Sequence, residues 1–387
     1  MVDLFIKNIK KAIKRLELAK KRNEKIALWG DYDTDGIAGT SIAYEGLKDL
    51  GFDNFLISLS GRKGIYDQGK EEIERFAKER VNLIISIDFG ISAGKEIKFA
   101  HKKGIDFIVL DHHTPPKIFP QGIVVNYSNG RHRNKAAAGV VFDLIKTFYK
   151  YEKRAEKETE KFLDLVAIAT VADKMLLTKA NKKIIAEGIK RINLGYRPAL
   201  RGLAKKIKPS LGNKKLASNN FERLVDRIDF PKNVNEENNL FKLMSNDAAK
   251  GEIRELVNGV EKNYRKAQKI IEKIYKENIK ELSVTKLKVA FVENKINWPQ
   301  PGINGLVANE FSNRLNRPVF VYSRSGDKIK ASGRAPKGFN LVKALRSCSV
   351  EIFHNFGGHP RAAGFKASMN NLEEIKECLK KYYQRKK

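Results

Sequence analysis

Between residues 25 and 195 the chain alternates short apolar runs with longer stretches in which apolar residues recur every three or four positions. Brief apolar runs bounded by turn-forming residues predict buried strands, and the wider spacing predicts helices packed against them. The strands expected are Ile26–Trp29, Phe55–Leu59, Leu83–Ile87, Phe107–Leu110 and Ile123–Asn126. Helices are expected near Ile37–Leu50, Gln68–Arg80, Ala93–Lys103 and Ala136–Tyr149, followed by an almost unbroken apolar helix over Leu163–Leu177. Such alternation reads as a parallel α/β sheet, whose ligand site lies beyond the carboxyl ends of the strands.

From residue 196 the pattern becomes Lys-rich and helical, and from Asn246 onward it reads as one long amphipathic helix. Alternation then returns, with strands expected at Leu287–Val292, Val319–Tyr322, Ile329–Ser332 and Val350–Phe353 and helices near Gly305–Leu315 and Leu372–Tyr383. The expected architecture is a two-lobed α/β protein. A parallel-sheet domain covers residues 1–195, a helical insertion and connecting helix covers 196–284, and a smaller α/β domain covers 285–387.

With 387 residues, 42% of them hydrophobic, the chain has enough apolar material for two cores, which excludes a disordered protein. Its 76 Lys and Arg against 45 Asp and Glu leave a net charge of +31. A surplus of that size repels itself and is relieved by a polyanion, so nucleic acid is favoured over membrane. No apolar run reaches bilayer length, and the N-terminal MVDLFIKNIKKAIKRL is a basic amphipathic helix without a signal-peptide core. Cys348 and Cys378 have no metal-ligand spacing and are expected to be plain core thiols in a reducing cytoplasm. Abundant Lys and Ile with sparse Gln fit a thermophile.

The candidate chemistry lies where three of the strands end. ALWGDYDTDGIAGTS places Asp31, Asp33 and Asp35 after the first strand, Asp88 follows Leu83–Ile87, and Asp111, His112 and His113 follow Phe107–Leu110. One acidic residue after a strand is commonly a helix cap, but three such occurrences point to a shared site. Like charges this close repel by several kcal/mol unless a cation or protons neutralise them, so metal is expected. A calcium loop of the EF-hand type is excluded because its twelfth position, counted from Asp31, is Ile42. Asp111 can orient an imidazole, as metal-bound histidines require. Asp173, within the apolar helix, is a further ligand candidate, whereas Asp164 can cap the helix or form a salt bridge.

The ordered set DYDTDG, IDFG, DHH and VAD, with AAAGVVFDL and the C-terminal GRAP and FGGHPRAAGF, resembles the DHH phosphoesterase superfamily and its RecJ-type single-strand nucleases. The resemblance spans nearly the whole chain. It implies a two-cation centre, Mn²⁺ first and Mg²⁺ second, held by Asp31, Asp33, Asp35, Asp88, His112 and Asp173, with Asp88 bridging. Asp88, His112 and His113 become the catalytic group, and His113 contacts the scissile phosphate or assists proton transfer. In the C-terminal region, similar to a DHHA1 domain, Arg334 on a flexible loop and Gly357, Gly358, His359 and Arg361 are expected to bind substrate phosphates.

The resemblance implies a cytoplasmic exonuclease acting from an end of single-stranded DNA, with RNA as a second possible substrate, in repair or replication, with a helicase or replication-complex partner. It is similar to archaeal RecJ-like nucleases, without an oligonucleotide-binding barrel. The rival readings are a phosphodiesterase for short oligonucleotides, cyclic dinucleotides or phosphoadenosine phosphate, and an inactive replication scaffold. Where RecJ-type proteins carry an Asn-Ala-Gly-Arg segment, this chain reads FPKNVNEENNLF.

Overall fold

The computed structural model describes residues 2–59, 64–116, 118–127, 134–207, 216–229, 236–284, 289–295 and 303–384. The first half of the FPKNVNEENNLF segment, residues 230–235, lies outside these. The chain divides into two compact units, Met1–Glu261 and Lys262–Lys387.

The first unit opens with α1 (Val2–Lys21) and then alternates β1 (Ile26–Gly30), α2 (Thr34–Asp49), β2 (Phe55–Leu59), α3 (Gly64–Lys78), β3 (Leu83–Ile87), α4 (Gly94–Lys102), β4 (Asp106–Asp111), β5 (Ile123–Asn126) and α5 (Ala137–Tyr151). It continues through α6 (Leu163–Ala172), α7 (Lys179–Leu194), α8 (Pro198–Lys206), α9 (Ser218–Ile228), α10 (Glu236–Met244) and the first turns of α11 (Ile253–Val284). The five strands pair in parallel in the order β2-β1-β3-β4-β5.

Both faces of this sheet are covered, as an all-parallel sheet requires. The two-residue side-chain period divides the strands cleanly. Ile26, Leu28, Leu83, Ile85, Ile87, Ile108 and Leu110 face a core shared with α1, α2, α5 and α6. Their neighbours Ala27, Trp29, Ile84, Phe107 and Val109 face a second core with α3 and α4, where Trp29 meets Phe76 and Phe89 edge-on at 5.3 and 5.1 Å. All five expected strands form. The apolar helix ends earlier than its pattern predicts: α6 stops at Ala172, Asp173 becomes its C-cap, and Lys174 takes a left-handed φ of 52°.

The second unit carries β6 (Ala290–Glu293), α12 (Ile303–Leu315), β7 (Val319–Ser325), β8 (Lys328–Arg334), α13 (Leu341–Arg346), β9 (Asn355–His359), β10 (Ala362–Ser368) and α14 (Leu372–Gln384). Its sheet runs β6-β7-β8-β10-β9, parallel between β6 and β7 and antiparallel elsewhere. Three expectations are corrected. Val350–Phe353 is not a strand; Val350–Ile352 forms a single 3₁₀ turn and the edge strand is β9, which contains the Gly357-Gly358-His359 sequence. Arg334 ends a strand instead of lying on a flexible loop, because the β8–β10 ladder extends to Ala362 opposite it. Cys348 and Cys378 are not free thiols: they form a disulfide, with Cα atoms 5.8 Å apart across 30 residues, because α13 ends beside α14.

Candidate metal centre

In a sheet ordered β2-β1-β3-β4-β5 the chain reverses direction of growth between β1 and β3, and a crevice opens at the carboxyl ends of those strands. Asp31 follows β1, Asp88 follows β3, and Asp111 ends β4. Ladder-like hydrogen bonds continue past the strands, Asp31 N to Ile87 O at 3.0 Å and Asp88 N to Leu110 O at 2.9 Å, so these acidic positions stay in lateral register. Asp88 adopts φ 70°, a left-handed conformation that Asp tolerates better than most residues and that clusters at functional sites.

The turn into α2 contributes the next two carboxylates. Asp33 is the N-cap and accepts from Gly36 N at 3.0 Å, while Asp31 accepts from Tyr32 N at 2.8 Å. Only glycine fits at 36, since a Cβ there would lie 2.4 Å from the Asp31 carbonyl oxygen. Asp35 then reaches the N-terminus of α5, accepting from Ala137 N at 2.7 Å and Ala138 N at 2.8 Å.

Around this scaffold the acidic groups and one imidazole converge. His112 Nε2 lies 3.2 Å from Asp88 Oδ1, 3.6 Å from Asp173 Oδ2 and 3.7 Å from Asp35 Oδ2. Its other nitrogen, Nδ1, lies 3.1 Å from the Lys135 carbonyl oxygen, which can only accept, so Nδ1 carries a proton and Nε2 is the ring atom left to serve as a ligand. Within the first unit, three triads bring ligand atoms within 4.8 Å of one another: Asp35, His112 and Asp173; Asp31, Asp33 and Asp88; and Asp88, Asp111 and His113. Asp88 belongs to two of them.

This donor set fits divalent cations. Asp88 Oδ1 is buried and accepts no hydrogen bond from any described residue. Burial, followed by repulsion from Asp35, Asp33 and their neighbours, pushes Asp88 well above the usual carboxylate range. Asp173 is raised in the same way, and burial with the charge of Asp33 lifts Asp35 to about 7. Carboxylates held against their own ionisation in this geometry are relieved by positive charge.

Asp111 has a different task. Its Oδ1 accepts from His112 N at 2.7 Å, His113 N at 3.0 Å and His113 Nδ1 at 2.8 Å, and its Oδ2 accepts from Ile91 N at 3.0 Å. Although burial opposes it, the hydrogen bond and charge of His113 hold Asp111 well below the usual carboxylate range. Burial likewise disfavours the charged imidazole of His113, but Asp111 outweighs it and lifts His113 to about 10. His113 is therefore an imidazolium, with its side chain 44% exposed, held beside the carboxylate cluster.

Further groups, to which the sequence motifs assign no role, support this cluster. The backbone of Lys135, Ala137 and Ala138 is one such group. Another is Asp229, which accepts from Thr34 Oγ1 at 2.8 Å and adds to the negative field on Asp173. Asp164, left open between a cap and a salt bridge, pairs with the fully buried Arg197 at 3.1 Å.

In the second unit, Arg334 and His359 both stand opposite Ala362, on the strands flanking β10. Directly opposed residues share a face, so the two lie in one row about 10 Å apart, two strand spacings. Gly357 and Gly358 are exposed on the same edge strand, and Arg361, in the turn that follows, donates from Nε to Ala335 O at 3.3 Å.

Residues 25–170 match the DHH family, N-terminal domain, and residues 284–385 match the DHHA1 domain. The single-stranded-DNA-specific exonuclease RecJ of Bacillus subtilis (strain 168) is 30% identical over 384 residues, which cover 97% of this chain and 47% of that protein. The protein of the same name from Escherichia coli (strain K12) is 28% identical over 397 residues, covering 96% and 67%. The crystal structure of RecJ in complex with Mn²⁺ from Thermus thermophilus matches with a TM-score of 0.81 at 26% identity, covering 98% of this chain and 55% of that one. A crystal structure of exonuclease RecJ bound to manganese gives 0.73 at 26% identity, covering 98% and 94%. The chain thus spans about half the length of the Bacillus relative. With both domain matches in order and the acidic cluster gathered at the ends of the parallel strands, the chain carries a DHH-family N-terminal domain followed by a DHHA1 domain.

Proposed function

We propose that this protein is a metal-dependent exonuclease that hydrolyses phosphodiester bonds from an end of single-stranded DNA. The observation that carries the reading is the meeting of Asp35, Asp88 and Asp173 around His112 Nε2, all within 3.7 Å of that atom. Asp31, Asp33, Asp35, Asp88, His112 and Asp173 would hold two divalent cations, with Asp88 shared. An oxygen-rich set with one imidazole favours Mn²⁺ or Mg²⁺ over zinc. Bound there, the cations supply a water of lowered pKa and positive charge facing the phosphate. His113, kept cationic by Asp111, donates to a phosphate oxygen or to the departing oxygen. Arg334, His359 and Arg361, with the exposed backbone of Gly357 and Gly358, bind further phosphates of the strand.

The +31 charge supports a long polyanion over a dinucleotide, since phosphate neutralisation supplies most sequence-independent affinity. A role in DNA repair or replication, action in the cytoplasm, activity on RNA and a helicase or replication-complex partner extend the same proposal. No described helix is long and apolar enough to cross a membrane.

The test is digestion of end-labelled single strands of graded length, DNA and RNA, against a duplex control, with Mn²⁺, Mg²⁺ or chelator. Asp88→Asn, which keeps the left-handed backbone and the side-chain volume, is expected to abolish hydrolysis while retaining DNA binding. Hydrolysis that persists in this variant, or in excess chelator, overturns the assignment. Activity that falls as the strand lengthens would instead favour a short-oligonucleotide phosphodiesterase.

A further inference from the structure

Asp35 and His112 are both held from a single turn of backbone. The Lys135 carbonyl accepts from His112 Nδ1 at 3.1 Å, and Ala137 N and Ala138 N donate to the two oxygens of Asp35 at 2.7 and 2.8 Å. None of these bonds involves a side chain of residues 135–138, so the placement of that turn decides all three. The Lys135 side chain, which takes no part in these bonds, is itself held. Lys135 Nζ lies 2.5 Å from Asp143 Oδ2 and 5.1 Å from the centre of the Tyr127 ring, with the Lys and Asp side chains each only 20% exposed. The Lys135 stem crosses α5 at Gly139, where a Cβ would come within 3.3 Å of Lys135 Cβ. Asp143 sits one turn further along the same helix.

We infer that the Lys135–Asp143 ion pair is a positioning device for the metal centre: it pins the 135–138 turn and thereby sets the tautomer of His112 and the orientation of Asp35. The inference rests on the reading of His112 as a ligand. A carbonyl oxygen at Nδ1 requires the proton there, which keeps the Nε2 lone pair available to a cation. If the turn drifts by about 1 Å, that hydrogen bond passes beyond normal donor–acceptor range. The imidazole can then place its proton on Nε2, facing the carboxylates, and such a ring cannot bind a cation there. Among the described residues no bond joins the side chain of Lys135 or Asp143 to the cluster, so their effect runs through the backbone.

The 387-residue chain tests this in four variants: Asp143→Asn, Lys135→Met, Asp143→Glu, and the exchanged pair Lys135→Asp with Asp143→Lys. Long-range ¹⁵N–¹H spectra of histidine-labelled, metal-free protein report the His112 tautomer, and calorimetric titration with MnCl₂ reports affinity. Asp143→Asn and Lys135→Met are expected to mix the tautomers and to weaken Mn²⁺ binding by about 10- to 100-fold, the usual cost of losing an outer-shell partner. Asp143→Glu and the exchanged pair, which keep an ion pair, should recover most of both signals. Wild-type tautomer and affinity in folded Asp143→Asn overturn the inference, as does equal behaviour of Asp143→Asn and Asp143→Glu. If the wild type binds no Mn²⁺, the metal-centre reading fails, while the tautomer measurement still judges the role of the ion pair.

Discussion

At the scale of residues, three acids of the centre, Asp35, Asp88 and Asp173, are folded into a place where they resist ionising. Asp35 is lifted to about 7 by burial and by Asp33, while an unfolded chain would ionise it near its ordinary value of about 4. The sign follows from linkage. A carboxyl raised in the folded state favours folding while it is protonated, so this contribution is lost as pH climbs from about 4 through about 7. A cation needs the ionised form and expels the proton. The expected outcome is that metal-free protein melts at a lower temperature at about pH 7.5 than at about pH 5.5, and that Mn²⁺ both reverses this and binds more tightly with rising pH. Calorimetry in buffers of different ionisation enthalpy measures the protons released at about pH 6, and zero release would contradict the account. Asp111 shows the opposite design. Four N–H groups converge on it, and its charge is what keeps His113 cationic.

At the scale of elements, three helix ends meet at the site: the N-termini of α2 and α5 and the C-terminus of α6. Positive dipole ends face Asp33 and Asp35, whereas Asp173 caps a negative end, which adds to the repulsion it already feels. The far ends of α2 and α6 are tied by Arg197, which bonds both oxygens of Glu45 and lies 3.1 Å from Asp164. Removing the guanidinium leaves two carboxylates facing each other in the interior. Arg197→Met should therefore cost about 3–5 kcal/mol in urea-unfolding measurements, and adding Glu45→Gln and Asp164→Asn should regain a large part of that. A loss under about 1 kcal/mol would show that the triad is not what holds those helices. The same scale explains the misread element near residue 350. Val350–Phe353 has strand-like composition, but the ladder partner of β10 begins at Asn355, where the glycines suit an exposed edge.

At the scale of the whole molecule, two units carry different burdens. The first carries the acidic cluster at the strand ends of a sheet whose two faces pack into separate apolar cores, and the second carries a mixed sheet and the Cys348–Cys378 bond. Closing a loop of 30 residues removes unfolded-chain entropy worth about 3–4 kcal/mol on the chain-entropy model. Reduction should lower the unfolding midpoint of the second unit accordingly, and Cys348→Ala with Cys378→Ala should make it insensitive to reductant. Unfolding monitored at the second unit with and without reductant checks this, and identical midpoints would refute it.

The sequence by itself determined the parallel sheet, its five strands and the acidic positions that follow them, because apolar period and strand-end chemistry are local patterns written into neighbouring residues. Motif order also pointed to the carboxylates and the imidazole that converge. Tertiary structure alone decided that Asp35 spans to the start of α5, that the Lys135 carbonyl sets the His112 tautomer, and that Arg197 closes the far ends of α2 and α6. It also decided that two cysteines 30 residues apart are partners. These contacts join distant positions through backbone groups, which are the same in every residue, or through charges indistinguishable in sequence from the many solvated ones. No local pattern can mark them until the chain has folded.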